Sequence, residues 1–159
     1  MDAEKALDDI GWRLLCELQR NARVSYTELG RRLGLTAPAV AERVRRLEEA
    51  GIITGYHAHV DPAKVGLPII ASIRVRNNPS YTCAQITELA RKLPEVLDAN
   101  RVTGEDSCVL KIAVPSVNHL QAFIDQMLTY GETTTSLILS PPMGHRVIGP
   151  ANLQRESAA

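Results

Sequence analysis

Aromatic side chains are scarce in this sequence: one Trp, one Phe and four Tyr among 159 residues. Proteins that hold single-stranded nucleic acid stack its bases on aromatic faces, so that mode is excluded for want of platforms. Cysteine is also rare. Cys16, Cys83 and Cys108 are far apart and odd in number, which fits neither a disulfide framework nor a Cys-rich metal site. Cys16 and Cys108 fall on or near apolar faces and read as packed thiols. No apolar run approaches the roughly 20 residues that cross a bilayer; the clearest is Ile69-Ile70-Ala71. The opening residues, Met1-Asp2-Ala3-Glu4-Lys5, are acidic and polar rather than a secretory signal, so the expectation is a cytoplasmic protein without a membrane partner. Net charge is missing as well, with 18 Lys and Arg against 18 Asp and Glu. At face value that argues against nucleic acid, whose binders carry a basic excess.

The distribution of charge reverses that inference. Residues 1–19 sum to −3, residues 20–46 to +5 and residues 47–60 to −2, while the remainder is balanced. The whole basic excess lies in one segment, and it is all arginine: Arg20, Arg23, Arg31, Arg32, Arg43, Arg45 and Arg46. A hydrophobic content of 45% with 23% charged is that of a packed chain, long enough for one domain or two small ones.

The basic segment has a readable local structure. Leu7, Ile10, Leu14 and Leu18 recur at helical spacing and predict an amphipathic helix over about 7–21. Ser25 followed by Glu28 is a capping-box pattern opening a second helix that ends near Leu33, where Gly34 supplies a left-handed stop. Thr36 caps a third helix, with Pro38 tolerated in its first turn and Gly51 closing it. Val40, Val44 and Leu47 face inward, leaving Ala39, Glu42, Arg43 and Arg46 outward. Three helices with a short Gly turn between the second and third describe a helix-turn-helix over about 26–45, and a strand pattern from Ile52 to about Val60 suggests a wing.

Asp61-Pro62 and Gly66-Leu67-Pro68 mark a linker over 61–68. The period then changes. Ile69, Ala71, Ile73 and Val75 alternate as a half-buried strand, and Ile86, Leu89, Ala90 and Leu93 form a helical stripe stopped by Pro94. Strands over about 96–102 and 107–114 flank the turn Thr103-Gly104-Glu105-Asp106. A helix runs through Val117, Leu120, Ile124 and Met127, and a Thr-rich strand covers 133–140. The order β-α-β-β-α-β is that of a ferredoxin-like sandwich. The expected architecture is α+β: a winged helix-turn-helix over 1–60, the linker, a sandwich over 69–141 and a loose tail over 142–159.

These residues resemble the Lrp/AsnC (feast/famine) regulators of bacteria and archaea, from about Leu7 to Ser140. The resemblance is carried by Leu7-Asp8-Asp9-Ile10, by Leu14-Leu15-Cys16-Glu17-Leu18-Gln19-Arg20-Asn21-Ala22-Arg23, and by Glu28-Leu29-Gly30-Arg31-Arg32-Leu33-Gly34-Leu35. It continues in Glu42-Arg43-Val44-Arg45-Arg46-Leu47-Glu48-Glu49-Ala50-Gly51-Ile52-Ile53, Gly55-Tyr56, Val102-Thr103-Gly104-Glu105 and Leu110-Lys111. What it implies is a DNA-reading third helix joined to an effector-binding and assembly domain, often called RAM. It further implies homodimers that associate, commonly into octamers, an amino-acid effector bound between dimers, and residence with the nucleoid.

Chemistry and resemblance agree on the DNA side. Outward arginines can pair bidentately with guanine, each pair giving about 1–3 kcal/mol of base discrimination. Pro38, Ala39, Glu42, Arg43 and Arg46 are expected to face the groove, with Arg43 the foremost base reader. Arg45 reaches a phosphate or pairs with Glu49 at i+4. Thr36, and Ser25, Tyr26 and Thr27 at the second helix start, are candidates for phosphate contacts through helix N-termini. With a neutral remainder, non-specific binding should be restrained, at a salt slope of about 0.9 per neutralised phosphate.

On the effector side, turn amides bind a carboxylate and carboxylates take an ammonium, so a zwitterionic amino acid suits the turn. Thr103, Gly104, Glu105, Asp106 and Ser107 are the candidate residues, with Thr134 and Ser136 added by resemblance as partners from a neighbouring subunit. Many relatives carry Gly-Asp-aromatic-Asp at this turn; the different residues here leave the ligand's identity open. No cofactor, metal site or catalytic constellation is expected. His57 and His59 lack a third ligand nearby, His119 reads as solvated, and Trp12 as packing. Two other readings stay open: a tetrapyrrole (sirohaem) decarboxylase-like enzyme on this architecture, although His119 and His145 are the only histidines of the second half, and a ligand-binding assembly protein without DNA binding.

Overall fold

Side-chain caps set the helix starts in the computed structural model, which describes residues 6–78, 80–139 and 146–153. Asp8 caps α1 (Asp9–Arg20), its carboxylate accepting from the Gly11 amide at 2.7 Å. Ser25 caps α2 (Tyr26–Leu33) by accepting from the Glu28 amide at 3.2 Å, and Thr36 caps α3 (Ala37–Glu49) by accepting from that of Ala39 at 3.4 Å. Each bond satisfies a first-turn N–H that has no partner within its helix. Only half of the capping box expected at Ser25 is formed. The Glu28 carboxylate turns instead to Arg31 and Arg32, whose charged donors make stronger bonds than a backbone amide.

Gly34, at φ +70°, ends α2 in the left-handed conformation. Gly30 serves a different need: a Cβ there would stand 2.4 Å from the Leu35 carbonyl oxygen. The absent side chain lets the turn fold back onto α2, where the Leu35 amide donates to the Gly30 carbonyl at 2.9 Å. Leu14, Leu18, Leu29, Leu33, Val40, Val44 and Leu47 form the core shared by the three helices. Burying a side chain of this kind stabilises the fold by roughly 1.5–3 kcal/mol.

Two expectations for this region change. The segment from Ile52 to Val60 forms no strand, and its residues from Thr54 onward are exposed; a strand needs a backbone ladder, and no ladder among the described residues includes this segment. The tail expected to be loose is instead docked where it is described. The side-chain amide of Gln19 donates to the Ile148 carbonyl and accepts from the Ile148 amide, both at 2.9 Å. A Cβ on Gly149 would lie 3.4 Å from Cys16 Sγ, and a short 3-10 turn covers Pro150–Asn152. Residues 6–58 and 146–153 accordingly make one compact unit and residues 59–139 another. Residues 140–145 and 154–159, with Ser140, His145 and much of the expected tail, lie outside the described residues, as do Met1 to Lys5.

The second unit begins with a 3-10 turn, Pro62–Val65, capped by Asp61 and ended by Gly66. Then come β1 (Ile69–Asn77), α4 (Cys83–Ala90), β2 (Val96–Arg101), β3 (Cys108–Val114), α5 (Val117–Leu128) and β4 (Gly131–Leu137). The strands form one antiparallel sheet in the order β2-β3-β1-β4, the ferredoxin-like arrangement. Ala71, Ile73 and Val75 alternate onto the buried face with Leu110 and Ile112, where Ile86, Phe123 and Met127 from the two helices cover them. α4 stops at Ala90, short of Leu93.

Cys83 and Cys108 are joined by a disulfide, their Cα atoms 6.3 Å apart. This corrects the expectation of a lone packed thiol at Cys108. The count of cysteines could not show that packing α4 on the sheet brings together two residues 25 apart in sequence. Cys16 is free and half-buried. His119 is not simply solvated either: its Nε2 lies 2.8 Å from Glu95 Oε1, and this contact holds the Glu95 carboxyl below the usual carboxylate range.

Candidate DNA interface and effector turn

α3 is the central element of the amino-terminal unit. With Val40, Val44 and Leu47 buried, the 100° advance per residue puts Pro38, Glu42, Arg45 and Glu49 opposite the core, with Ala39 and Arg46 beside them. Arg45 and Arg46 are exposed. Arg43 is not on that face. It lies at the helix flank, half-buried, and donates to both carboxylate oxygens of Asp8 at 2.8 and 3.0 Å. The expected foremost base reader is thus a strut between α3 and the start of α1. Sequence spacing could not reveal this, because Asp8 is 35 residues away.

Nearly every arginine of the basic segment has an acidic partner. Glu42 accepts from Arg45 Nε and Nη2 at 3.0 and 2.9 Å and from Arg46 Nε at 2.9 Å. Arg45 also pairs with Glu49, the i+4 partner considered for it. Glu28 holds Arg31 and Arg32, and Glu17 holds Arg20 and Arg32. These donors push the carboxyls of Glu28 and Glu42 down to about 2. All of these pairs are solvent-exposed, so each contributes little to stability; their effect is to occupy the arginines. Of the other candidates, Ser25, Tyr26, Thr27 and Thr36 are exposed at the starts of α2 and α3, with the Ser25 and Thr36 hydroxyls engaged as caps. Tyr56, in the segment after α3, donates to Glu48 at 2.9 Å. Desolvation and that carboxylate together raise its phenol to about 12.

In the second unit, one sheet face carries the helices and the other lies open of them. The turn 103–107 sits at the end of that sheet. The Val102 amide donates to the Ser107 carbonyl at 3.2 Å and the Ser107 amide to the Val75 carbonyl at 2.9 Å. Gly104, at φ +110°, has nothing within 4 Å of where a Cβ would stand. Register brings Thr134 opposite Arg74 and Ser136 opposite Ser72, so both share the open face with β1's polar side chains. The Arg74 guanidinium reaches Asp106 at 3.5 Å, and Arg76 reaches Glu105 at 2.6 Å and Glu132 at 3.7 Å. Turn and strand are therefore parts of one charged surface within a single chain.

Two families match along the chain: winged helix-turn-helix DNA-binding over residues 7–54 and the Lrp/AsnC ligand binding domain over residues 69–148. This chain belongs to the Lrp/AsnC family. It is 37% identical over 139 residues to the HTH-type transcriptional regulator YezC of Bacillus subtilis (strain 168), which spans 87% of this chain and 98% of that protein. The structure of B. subtilis LrpC superposes with a TM-score of 0.81 at 32% identity, over 87% of this chain and 99% of that one. The feast or famine regulatory protein of M. tuberculosis, complexed with L-methionine, superposes with a TM-score of 0.84 at 33% identity, over 91% and 99% of the two chains.

As an Lrp/AsnC-type helix-turn-helix protein, the chain is a regulator of transcription and not the tetrapyrrole enzyme considered above; its relatives are named as transcriptional regulators. The candidate residues read from the sequence of this Lrp/AsnC protein did not include Arg74 and Arg76, which pair with the turn's acids. The available signal was their i, i+2 spacing at the polar positions of a strand whose alternate residues are all apolar.

Proposed function

We propose that this regulator binds specific duplex sites by laying the outer face of α3 in the major groove. Pro38, Ala39, Glu42, Arg45 and Arg46 meet base edges, and Arg43 at the flank reaches a backbone phosphate once it leaves Asp8. Ser25, Tyr26, Thr27 and Thr36 contact phosphates from the helix starts. The observation that carries this reading is the pair of exposed arginines, Arg45 and Arg46, beside Glu42 on the face of α3 turned away from the core. Guanidinium groups suit guanine O6 and N7, and a carboxylate accepts from the cytosine amino group.

An amino acid is the effector, bound at Thr103, Gly104, Glu105, Asp106 and Ser107 on the open sheet face. Its ammonium goes to Asp106 or Glu105 and its carboxylate to turn amides or Arg74, with Thr134 and Ser136 supplied by a neighbouring copy. The L-methionine complex of the mycobacterial relative supports this class of ligand. Homodimers assemble further, commonly to octamers, through these sheet faces, and the protein works on the nucleoid in the cytoplasm.

The test is fluorescence anisotropy on the chain's own promoter fragment and on a random duplex, with and without an amino-acid panel, alongside light scattering. Expected are promoter binding at least a hundredfold tighter than random binding and a shift in affinity or mass with at least one amino acid. Equal affinity for both duplexes overturns the base-reading role. The absence of any amino-acid response overturns the effector role.

A further inference from the structure

We infer that Cys83 and Cys108 are a reversible thiol–disulfide site that controls the freedom of the turn 103–107. The inference rests on the effector reading above for its functional consequence, though not for its chemistry.

Position comes first. Cys83 is the first residue of α4 and Cys108 the first of β3, so Cys108 directly follows Ser107, the end of the turn. The bond ties the start of α4 to the strand that carries the turn. Their Cα separation of 6.3 Å lies within the span a disulfide bridges without backbone movement. The reduced state is provided for as well: Cys83 Sγ stands 3.3 Å from the Ser107 carbonyl oxygen, an acceptor for its thiol. The same side chain therefore holds the turn covalently when oxidised and by one weak hydrogen bond when reduced.

Access is unequal. Cys108 is 1% exposed inside the core, whereas Cys83 is half-buried at its rim. An incoming thiolate therefore attacks the Cys83 sulfur, where the helix start also favours thiolate character in the product. With a dithiol reductant the chemistry balances. One reductant sulfur bonds to Cys83 as the Cys83–Cys108 bond breaks, and Cys108 leaves and takes a proton. The second reductant sulfur then displaces Cys83, giving two protein thiols and one reductant disulfide, a transfer of two electrons and two protons. Oxidation by a disulfide such as oxidised glutathione runs the same steps backwards. A transcription regulator works beside DNA, where glutathione and dithiol proteins keep most thiols reduced. There the bond is conditional and reports the local poise.

The turn keeps its bonds to Val75 and Val102 in both states, together with the pairs Arg74–Asp106 and Arg76–Glu105. Reduction therefore loosens it without unfolding it, which alters effector affinity by a modest factor.

The test uses the full chain, oxidised with oxidised glutathione or reduced with dithiothreitol. Alkylation in denaturant with intact-mass readout should find one reactive thiol after oxidation and three after reduction. Amide exchange over 103–107 should be at least threefold faster in the reduced form, and L-methionine affinity should differ at least threefold between forms. Cys83→Ser should match the reduced form under both conditions, with Cys83→Ala as a second variant if the first is unstable. Three reactive thiols in the oxidised sample, or unchanged exchange over 103–107, would overturn the proposal. If exchange changes but no amino acid of the panel binds either form, the effector reading fails while the thiol site stands.

Discussion

Arg43 and Asp8 form a two-pronged ion pair that fastens the flank of α3 to the N-cap of α1. Asp8→Ala removes both the pair and the Gly11 cap, and should lower unfolding stability by about 1–2 kcal/mol. The carboxyl of Asp8 is held below its ordinary 3.8, first by the Arg43 hydrogen bond and then by the Gly11 amide. A depressed pKa contributes stability that is present above the unfolded value and is lost as pH falls through the folded one. The gap between wild type and Asp8→Ala in denaturant titrations should therefore be constant near neutrality and close below about pH 4. Arg43→Ala should weaken operator and random duplex by similar factors. A loss confined to the operator would return Arg43 to base reading.

Glu42 restrains two arginines at once, so Glu42→Gln should release them to phosphates. Random-duplex affinity should rise about three- to tenfold at fixed salt, and the salt slope should steepen by about 0.9 for each arginine gained. The same coupling is visible without DNA. Carbon-detected NMR should place the Glu42 carboxyl midpoint at about 2, and Arg45→Ala with Arg46→Ala should move it up towards 4.5. An unchanged midpoint in that double variant would mean that the arginines do not hold the carboxylate in solution.

Gly30→Ala should cost about 2–3 kcal/mol in chemical denaturation, because the new Cβ would meet the rigid Leu35 carbonyl and something must shift. Operator affinity should fall with it, since the same turn sets the angle between α2 and α3.

Gln19→Ala removes both bonds to Ile148. Exposed hydrogen bonds are individually weak, about 0.5–1.5 kcal/mol. The Ile148 amide should nevertheless exchange about tenfold faster, with new protease cuts between 146 and 153. Unaltered exchange at Ile148 would show that the contact is not maintained in solution.

Much of the fold was legible because it is written locally. Ser and Thr caps, a Gly stop and the change of period from 3.6 to 2 mark helices and strands within a few residues of themselves. The Arg45–Glu49 pair followed from i, i+4 spacing alone. What escaped was long in range. Asp8 holds Arg43 at the flank of α3 across 35 residues, Glu17 reaches Arg32 between helices, and Cys83 finds Cys108 only through the packing of α4 on the sheet. Ile52–Val60 has the composition of a strand but joins no ladder among the described residues, so composition alone misassigned it.

The docking of residues 146–153 beside Gln19 makes the topology of this regulator that of an insertion. The unit that matches the Lrp/AsnC ligand binding domain is spliced into the helix-turn-helix one, which the chain leaves after Ala58 and rejoins through the Ile148 segment. A helix-turn-helix fragment cut after residue 58 therefore loses one of its own packing elements, and Gln19 and Cys16 of α1 lose their contacts with Ile148 and Gly149. Any comparison of isolated domains with the whole chain must count that lost segment before assigning a difference in affinity to the effector unit.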